Sequence, residues 1–438
     1  MGTRRRSRRR GRLGHVPKTT AYDRPEKPCK TRPVFWSIDP ATWPKATLKR
    51  HFIQQDSHSL CKLQHEPVAI PHPSVTAPCR LMQAAMQRAL LAACVTRAVA
   101  LTMPFATPAT WKVHTLGGPR VAKVDGAYTL FYHYRPLEDK DDPELPPLST
   151  GRIGRATSPD GLEWEVQHDG LGEGGSSVSK AEDWFQHDCG HVGCGDVLSG
   201  DAWFLYTYGG SNAPMALRDL GVDRDGEVYG MDMKLGVCVS QDGIKFGRFE
   251  GDEADGSLLG PPPANSWERR NAPVAWPAVC EDPGGQTGDL LLFYGTTQDA
   301  TGLSACGLAR SSNGVTWRRA TPASPCIAPG DDWDAGGILR RSVLRRGREL
   351  LMIYEAKSAE GVHAFGRATS DDAGVTWTKT GRCFERGDTW DAHAISAPHV
   401  LEDDGVLRLY YAGSGEAGGS ASLGVAESSD DGVTWTRL

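Results

Sequence analysis

Five short apolar runs rich in Tyr, Phe and Leu recur along the chain: YTLFYHY at 128–134, AWFLYTY at 202–208, LLLFYGT at 290–296, LLMIYEA at 350–356 and LRLYYAG at 407–413. Bounded by Gly and Asp and too short for amphipathic helices, they predict strands. A further apolar stretch precedes each run and ends at Val121, Val197, Val279, Val343 and Val400, with Trp111, Trp184, Trp267, Trp333 and Trp390 standing before it. After each run comes a segment of the form Gly-x-Ala/Cys-x-Ser, beginning at Gly154, Gly236, Gly307, Gly366 and Gly424. An Asp/Asn and Gly turn follows, then an aromatic: Trp164, Phe246, Trp317, Trp377 or Trp435. The tetrapeptide GVTW occurs three times at this point.

A unit of this kind predicts four short antiparallel strands, which cannot bury both faces alone. Five such sheets set radially bury them against one another, so residues 111–438 are expected to form an all-β, five-bladed β-propeller. The recurring Trp residues are then expected in the core between blades. The turn motif also matches the Asp-box of sialidases, a turn remote from their active site, in SDDAGVTW (370–377) and SSDDGVTW (428–435).

Charge divides the chain. Of 49 basic and 54 acidic residues, 19 and 5 lie before residue 111, leaving 30 and 49 in the repeats. RRRSRRRGR (4–12) lacks the interleaved aromatics of a nucleic-acid patch, and 1–80 is expected to be a disordered basic extension with no nucleic-acid partner. The Ala-rich segment 81–110 has no acidic residue and reads as an organellar or secretory targeting sequence or an amphipathic helix. Arg97 cuts its apolar run well short of a membrane span. Seven cysteines in the repeats, an odd number without regular spacing, argue against a disulfide framework.

Blade 1, GGPRVAKVDGAYTLFYHYRP (117–136), resembles the first blade of the invertase-like five-bladed glycoside hydrolases, with Pro119, Gly126, Tyr128, Leu130, Phe131, Tyr132, Tyr134 and Pro136 in register. The wider resemblance, to the arabinanase, levansucrase and invertase superfamily, covers 111–438 through its blades. It implies carbohydrate in the central funnel and hydrolysis by carboxylates on either side of a glycosidic bond. The family's three carboxylate positions, however, fall here on Gly118, Cys194 and Ala275.

Other carboxylates are therefore candidates for the chemistry. Asp188 lies in the irregular stretch FQHDCGHVGCGD (185–196), and Asp196 has the inward parity expected one residue before Val197. Glu355 stands where the invertase pattern has a sugar-facing Gln; its equivalents on this alignment are His133, Thr207, Gly295 and Ala412. Among aromatic neighbours its pKa is expected to rise, as suits a general acid. Counting back nine residues from the Val markers sets Lys112, Asp188, Arg270, Asp334 and Asp391 in a charged ring near the funnel mouth. Arg120, His133, His191, Trp276, Arg340, Asp334, Asp391, His393 and His399 are expected to contact the sugar, its hydroxyls or a carboxylate on it. His187, Cys189, His191 and Cys194 lack paired zinc-ligand spacing, so no metal or other cofactor is expected. The expectation is a monomeric glycoside-hydrolase-like propeller that engages carbohydrate and hydrolyses it. The alternative is a non-catalytic propeller that binds a glycan or protein.

Overall fold

The computed structural model describes residues 103–140, 148–167, 176–220, 224–286, 288–330 and 332–438. The basic extension and most of the Ala-rich segment lie outside the described residues. Five four-stranded antiparallel sheets follow one another in chain order. Blade 1 comprises β1 (Thr115–Val124), β2 (Ala127–Arg135), β3 (Arg152–Ser158) and β4 (Glu165–Gln167). Blade 2 comprises β5 (His191–Ser199), β6 (Trp203–Gly210), β9 (Met233–Ser240) and β10 (Gly247–Phe249), with a hairpin β7 (Met215–Ala216) and β8 (Glu227–Val228) inserted. Blade 3 is β11 (Ala275–Glu281), β12 (Leu290–Thr297), β13 (Ser304–Ser311) and β14 (Arg318–Arg319). Blade 4 is β15 (Gly337–Arg346), β16 (Glu349–Lys357), β17 (His363–Ser370) and β18 (Thr378–Phe384). Blade 5 is β19 (Ala394–Asp403), β20 (Val406–Ser414), β21 (Ser422–Ser428) and β22 (Thr436–Arg437). The first strands β1, β5, β11, β15 and β19 touch in succession, and β19 returns to β1, so five blades close one ring.

The repeated turn owes its shape to two side chains. Ser158 Oγ accepts the Gly161 N–H at 2.8 Å, while Asp160 Oδ1 accepts those of Leu162 and Glu163 at 2.8 and 3.0 Å. Ser240 with Asp242, Ser311 with Asn313, Ser370 with Asp372 and Ser428 with Asp430 repeat the arrangement. The glycine is required: its φ is 77°, 69°, 79°, 78° and 80° in the five copies, a region in which a Cβ is unfavourable. Trp317, Trp377 and Trp435 each donate Nε1–H to that glycine's carbonyl at 3.1 Å. Their rings pack edge-on against the preceding blade in two cases, Trp317 on Tyr206 and Trp377 on Phe293.

The second Trp position packs as expected in three blades; in blade 3 Trp267 donates Nε1–H to Thr321 O at 2.9 Å instead. Trp111, Trp333 and Trp390 pack on the second-strand tyrosines Tyr132, Tyr354 and Tyr411, at centroid distances of 4.6, 5.7 and 5.2 Å. Trp184 does not. It is 86% exposed, and His187 takes the slot, close beside Gly236 and Thr207 as Trp333 is beside Gly366. His187 stands ten residues before Val197, as Trp333 and Trp390 stand before Val343 and Val400, and Trp184 lies three residues ahead of that position. All seven described cysteines are free. Before blade 1, Ala106 bridges Leu423 of β21 while Phe105 packs with Trp111, Trp164 and Tyr410, joining the first described residues to blade 5. No helix among the described residues is long and apolar enough to cross a membrane.

Candidate functional site

The acids of the expected charged ring at the funnel mouth are instead a set of blade clamps. Asp188 pairs with Arg248, Asp334 with Lys379 and Asp391 with Arg437, at 2.8, 2.5 and 2.8 Å. Glu268 pairs with Arg319 at 2.8 Å, and it, not Arg270, is the blade 3 counterpart. In every case the acid on the entry loop is buried and the cation lies on the outermost strand of the same blade, away from the axis. Tyr294 and Tyr411 add a hydroxyl donor to Glu268 and Asp391. Blade 2 has Thr207 there, and a cavity of about 10 Å³ is lined by His187, Asp188 and Thr207. Such clamps satisfy a carboxylate and tie a loop to a strand, so Asp188, Asp334 and Asp391 are withdrawn from the funnel.

Around the axis the innermost strands have no shared backbone ladder, and side chains stitch them. Arg120 Nε donates to Gly195 O across blades 1 and 2. Asp196 Oδ2 accepts the Val279 N–H at 2.7 Å across blades 2 and 3, and Arg341 Nη1 donates to Trp276 O at 3.2 Å across blades 4 and 3. Ser342 Oγ accepts from Val400 N at 2.9 Å, and His399 Nε2 meets Val121 O at 2.9 Å, completing the circle. Polar residues with no counterpart in the repeat are thus explained by five different inter-blade bonds. Burial pushes the Asp196 carboxyl up to about 6 despite Arg120, and burial followed by Arg120 pushes His399 down to about 3. His191 is likewise structural: Nδ1 meets Thr150 Oγ1 at 2.8 Å and Nε2 meets Gly230 O at 2.7 Å, leaving no nitrogen for a ligand. His393 is exposed at the start of β19.

Above the stitches each innermost strand carries an irregularity, opposite the end of its second strand. Gly118, Trp276 and Ala397 occupy equivalent places with φ of 56°, 57° and 55°. A tryptophan in this left-handed conformation costs about 1–2 kcal/mol. Pairing with the third strands shows that β6 is shifted by one residue from the sequence alignment: Tyr208, not Thr207, is the equivalent of His133, Gly295, Glu355 and Ala412. These positions converge. The Arg340 guanidinium lies over the Trp276 ring at 4.9 Å, reaches Glu355 Oε1 and Oε2 at 3.3 and 3.2 Å, and stands near Tyr208. Glu355, fully buried, also accepts from the Ala397 N–H at 2.9 Å and meets His363 Nδ1 at 2.7 Å. Burial acts to raise its pKa, yet Arg340, then His363 and the Ala397 N–H, outweigh it and hold the carboxyl at about 2. The expected upward shift is reversed, and near neutral pH Glu355 has no proton to give. His363 and Tyr208 escaped the sequence reading, although His363 opens the strand paired with the Glu355 run.

His133 fills the space next to Gly118. A Cβ on Gly118 would stand 2.5 Å from His133 Nδ1 and 2.6 Å from Cε1. Burial, then Arg340 and Arg120, keeps this imidazole well below its usual pKa and therefore neutral, with Nε2 on Ser149 Oγ at 3.1 Å. Cys194 is buried and its thiol is pushed up to about 12, chiefly by burial, so it is not a nucleophile. A separate groove of about 490 Å³ between blades 2 and 3 is lined by Met215, Lys234, Glu253, Arg270 and Val274 among others.

No family model and no curated protein matches the chain. Solved structures do. A glycosyl hydrolase from Bacteroides ovatus matches with a TM-score of 0.53 at 13% identity, over 76% of this chain and 92% of that one. A thermostable family-43 glycoside hydrolase matches at 0.51 and 13%, over 74% and 92%. An N-acetylgalactosamine deacetylase from F. plautii, in complex with blood group B trisaccharide, matches at 0.50 and 15%, over 75% and 94%. The fold is that of the five-bladed glycoside-hydrolase propellers. In this chain, the three positions where the resemblance implies carboxylates hold a glycine overlain by a histidine, an inert thiol and Ala275, which is buried.

Proposed function

We propose that this propeller binds carbohydrate in its funnel without hydrolysing it. The observation that carries the reading is the replacement at Gly118, where the neutral His133 ring occupies the space an acidic side chain would need. The remaining funnel carboxylates have other work. Glu355 orients Arg340, and Asp196 accepts the backbone N–H groups of Val197 and Val279. Binding is supported by the half-buried Trp276, held in a costly backbone conformation with Arg340 stacked on it, an arrangement of apolar face and charged donor suited to a sugar. The match to a propeller solved with a trisaccharide points the same way.

The full chain applied to a glycan array should retain a small set of oligosaccharides, and Trp276→Ala should lower affinity for those hits by tenfold or more. Unchanged retention by Trp276→Ala, or an array with no hits, would contradict the reading.

A further inference from the structure

We propose that the sugar recognised in this funnel is acidic, a uronate whose ring carboxylate is received by the Arg340 guanidinium. This rests on the carbohydrate reading above and narrows it.

The funnel is rich in donors and poor in acceptors. Three guanidiniums, Arg120, Arg340 and Arg341, face two carboxylates, Asp196 and Glu355, and both carboxylates have acceptor positions taken by backbone N–H groups. Arg341 is fully buried, and its Nε and Nη2 have no hydrogen-bond partner. Arg340 is the cation within reach of a ligand, with 24% of its side chain exposed. A guanidinium has five N–H donors, and Nη1 serves the Glu355 oxygens, so its remaining edge can take a carboxylate in the two-point manner that lysine cannot reproduce. Arg120, Arg340 and His133 lie close enough to disfavour one another's charged forms, and an anion among them relieves that repulsion.

His363 adds the contact that distinguishes a sugar acid from a bare anion. Glu355 is ionised and accepts only, so Nδ1 of His363 donates the proton between them and Nε2 is the ring's outward hydrogen-bonding group. With 29% of the side chain exposed, that nitrogen is placed to take a ring hydroxyl while Arg340 holds the carboxylate. Inorganic phosphate at neutral pH satisfies the guanidinium but offers no sugar ring to Trp276.

The test is calorimetry on the full chain with galacturonate and glucuronate oligomers, their neutral galactose and glucose counterparts, and inorganic phosphate. At least one uronate should bind tenfold or more tightly than its neutral counterpart and than phosphate, weaken as salt is raised, and lose tenfold or more in Arg340→Gln. Arg340→Lys should recover part of that loss. The salt series uses the unaltered protein and stands even if the variants fold poorly. Neutral oligomers binding as well as the uronates would overturn the acidic-sugar inference and leave the carbohydrate reading intact. Phosphate binding as tightly as the uronates would overturn it in favour of a general anion site. No binding of any sugar here, with a blank glycan array, would remove both.

Discussion

Gly118→Asp should destabilise the protein by about 2–5 kcal/mol and should not yield a hydrolase. Two costs combine. The new Cβ would lie 2.5 Å from a buried imidazole that already bonds Ser149, and overpacking of this kind costs about 1–3 kcal/mol. The residue also sits at φ 56°, where a side chain adds about 1–2 kcal/mol. Removing the ring as well should recover the first cost, so Gly118→Asp with His133→Ala is expected to be more stable than Gly118→Asp alone. Chemical denaturation of the three proteins checks this. If Gly118→Asp matches wild type, His133 does not occupy the position as described.

Glu355→Ala should cost about 3–5 kcal/mol at pH 7, because it leaves the part-buried Arg340 charge uncompensated and the Ala397 N–H without an acceptor. The effect carries a pH signature. A carboxyl held at about 2 in the fold, against 4.5 ordinarily, contributes stability that is complete above pH 4.5 and disappears as pH falls toward 2. The gap between wild type and Glu355→Ala should therefore narrow on acidification through that window. A general acid with a raised pKa would lose stability on the alkaline side instead, so denaturation at pH 7, 4.5 and 3 separates the roles. A gap that is constant with pH would show that Glu355 is not the ionised anchor of Arg340.

The blades were legible because their determinants are local. A Ser and an Asp or Asn scaffold each turn through bonds to N–H groups two to four residues on, and a glycine supplies the positive φ, so the signal survives in a linear reading. The site was less legible because its determinants act between blades. Nothing near Asp196 in sequence announces that it accepts from Val279, 83 residues on, or that Ser342 reaches Val400. Counting residues also failed where loop lengths differ. Nine residues back from Val279 falls on Arg270, whereas the blade 3 acid is Glu268, two residues earlier, and the one-residue shift of β6 hid Tyr208 behind Thr207. Glu355 was found because no other blade has an acid at its position, but its protonation state depends on Arg340 and His363, whose approach only the fold reveals.

Binding without cleavage requires that a bound oligosaccharide survive intact. Wild-type protein at micromolar concentration, incubated for a day with an oligosaccharide that it retains on the array, should release no shorter products when the mixture is resolved by mass spectrometry. Steady release of shorter sugars, slowed by Asp196→Asn or Glu355→Gln in a protein that still binds, would show that this funnel cleaves what it holds.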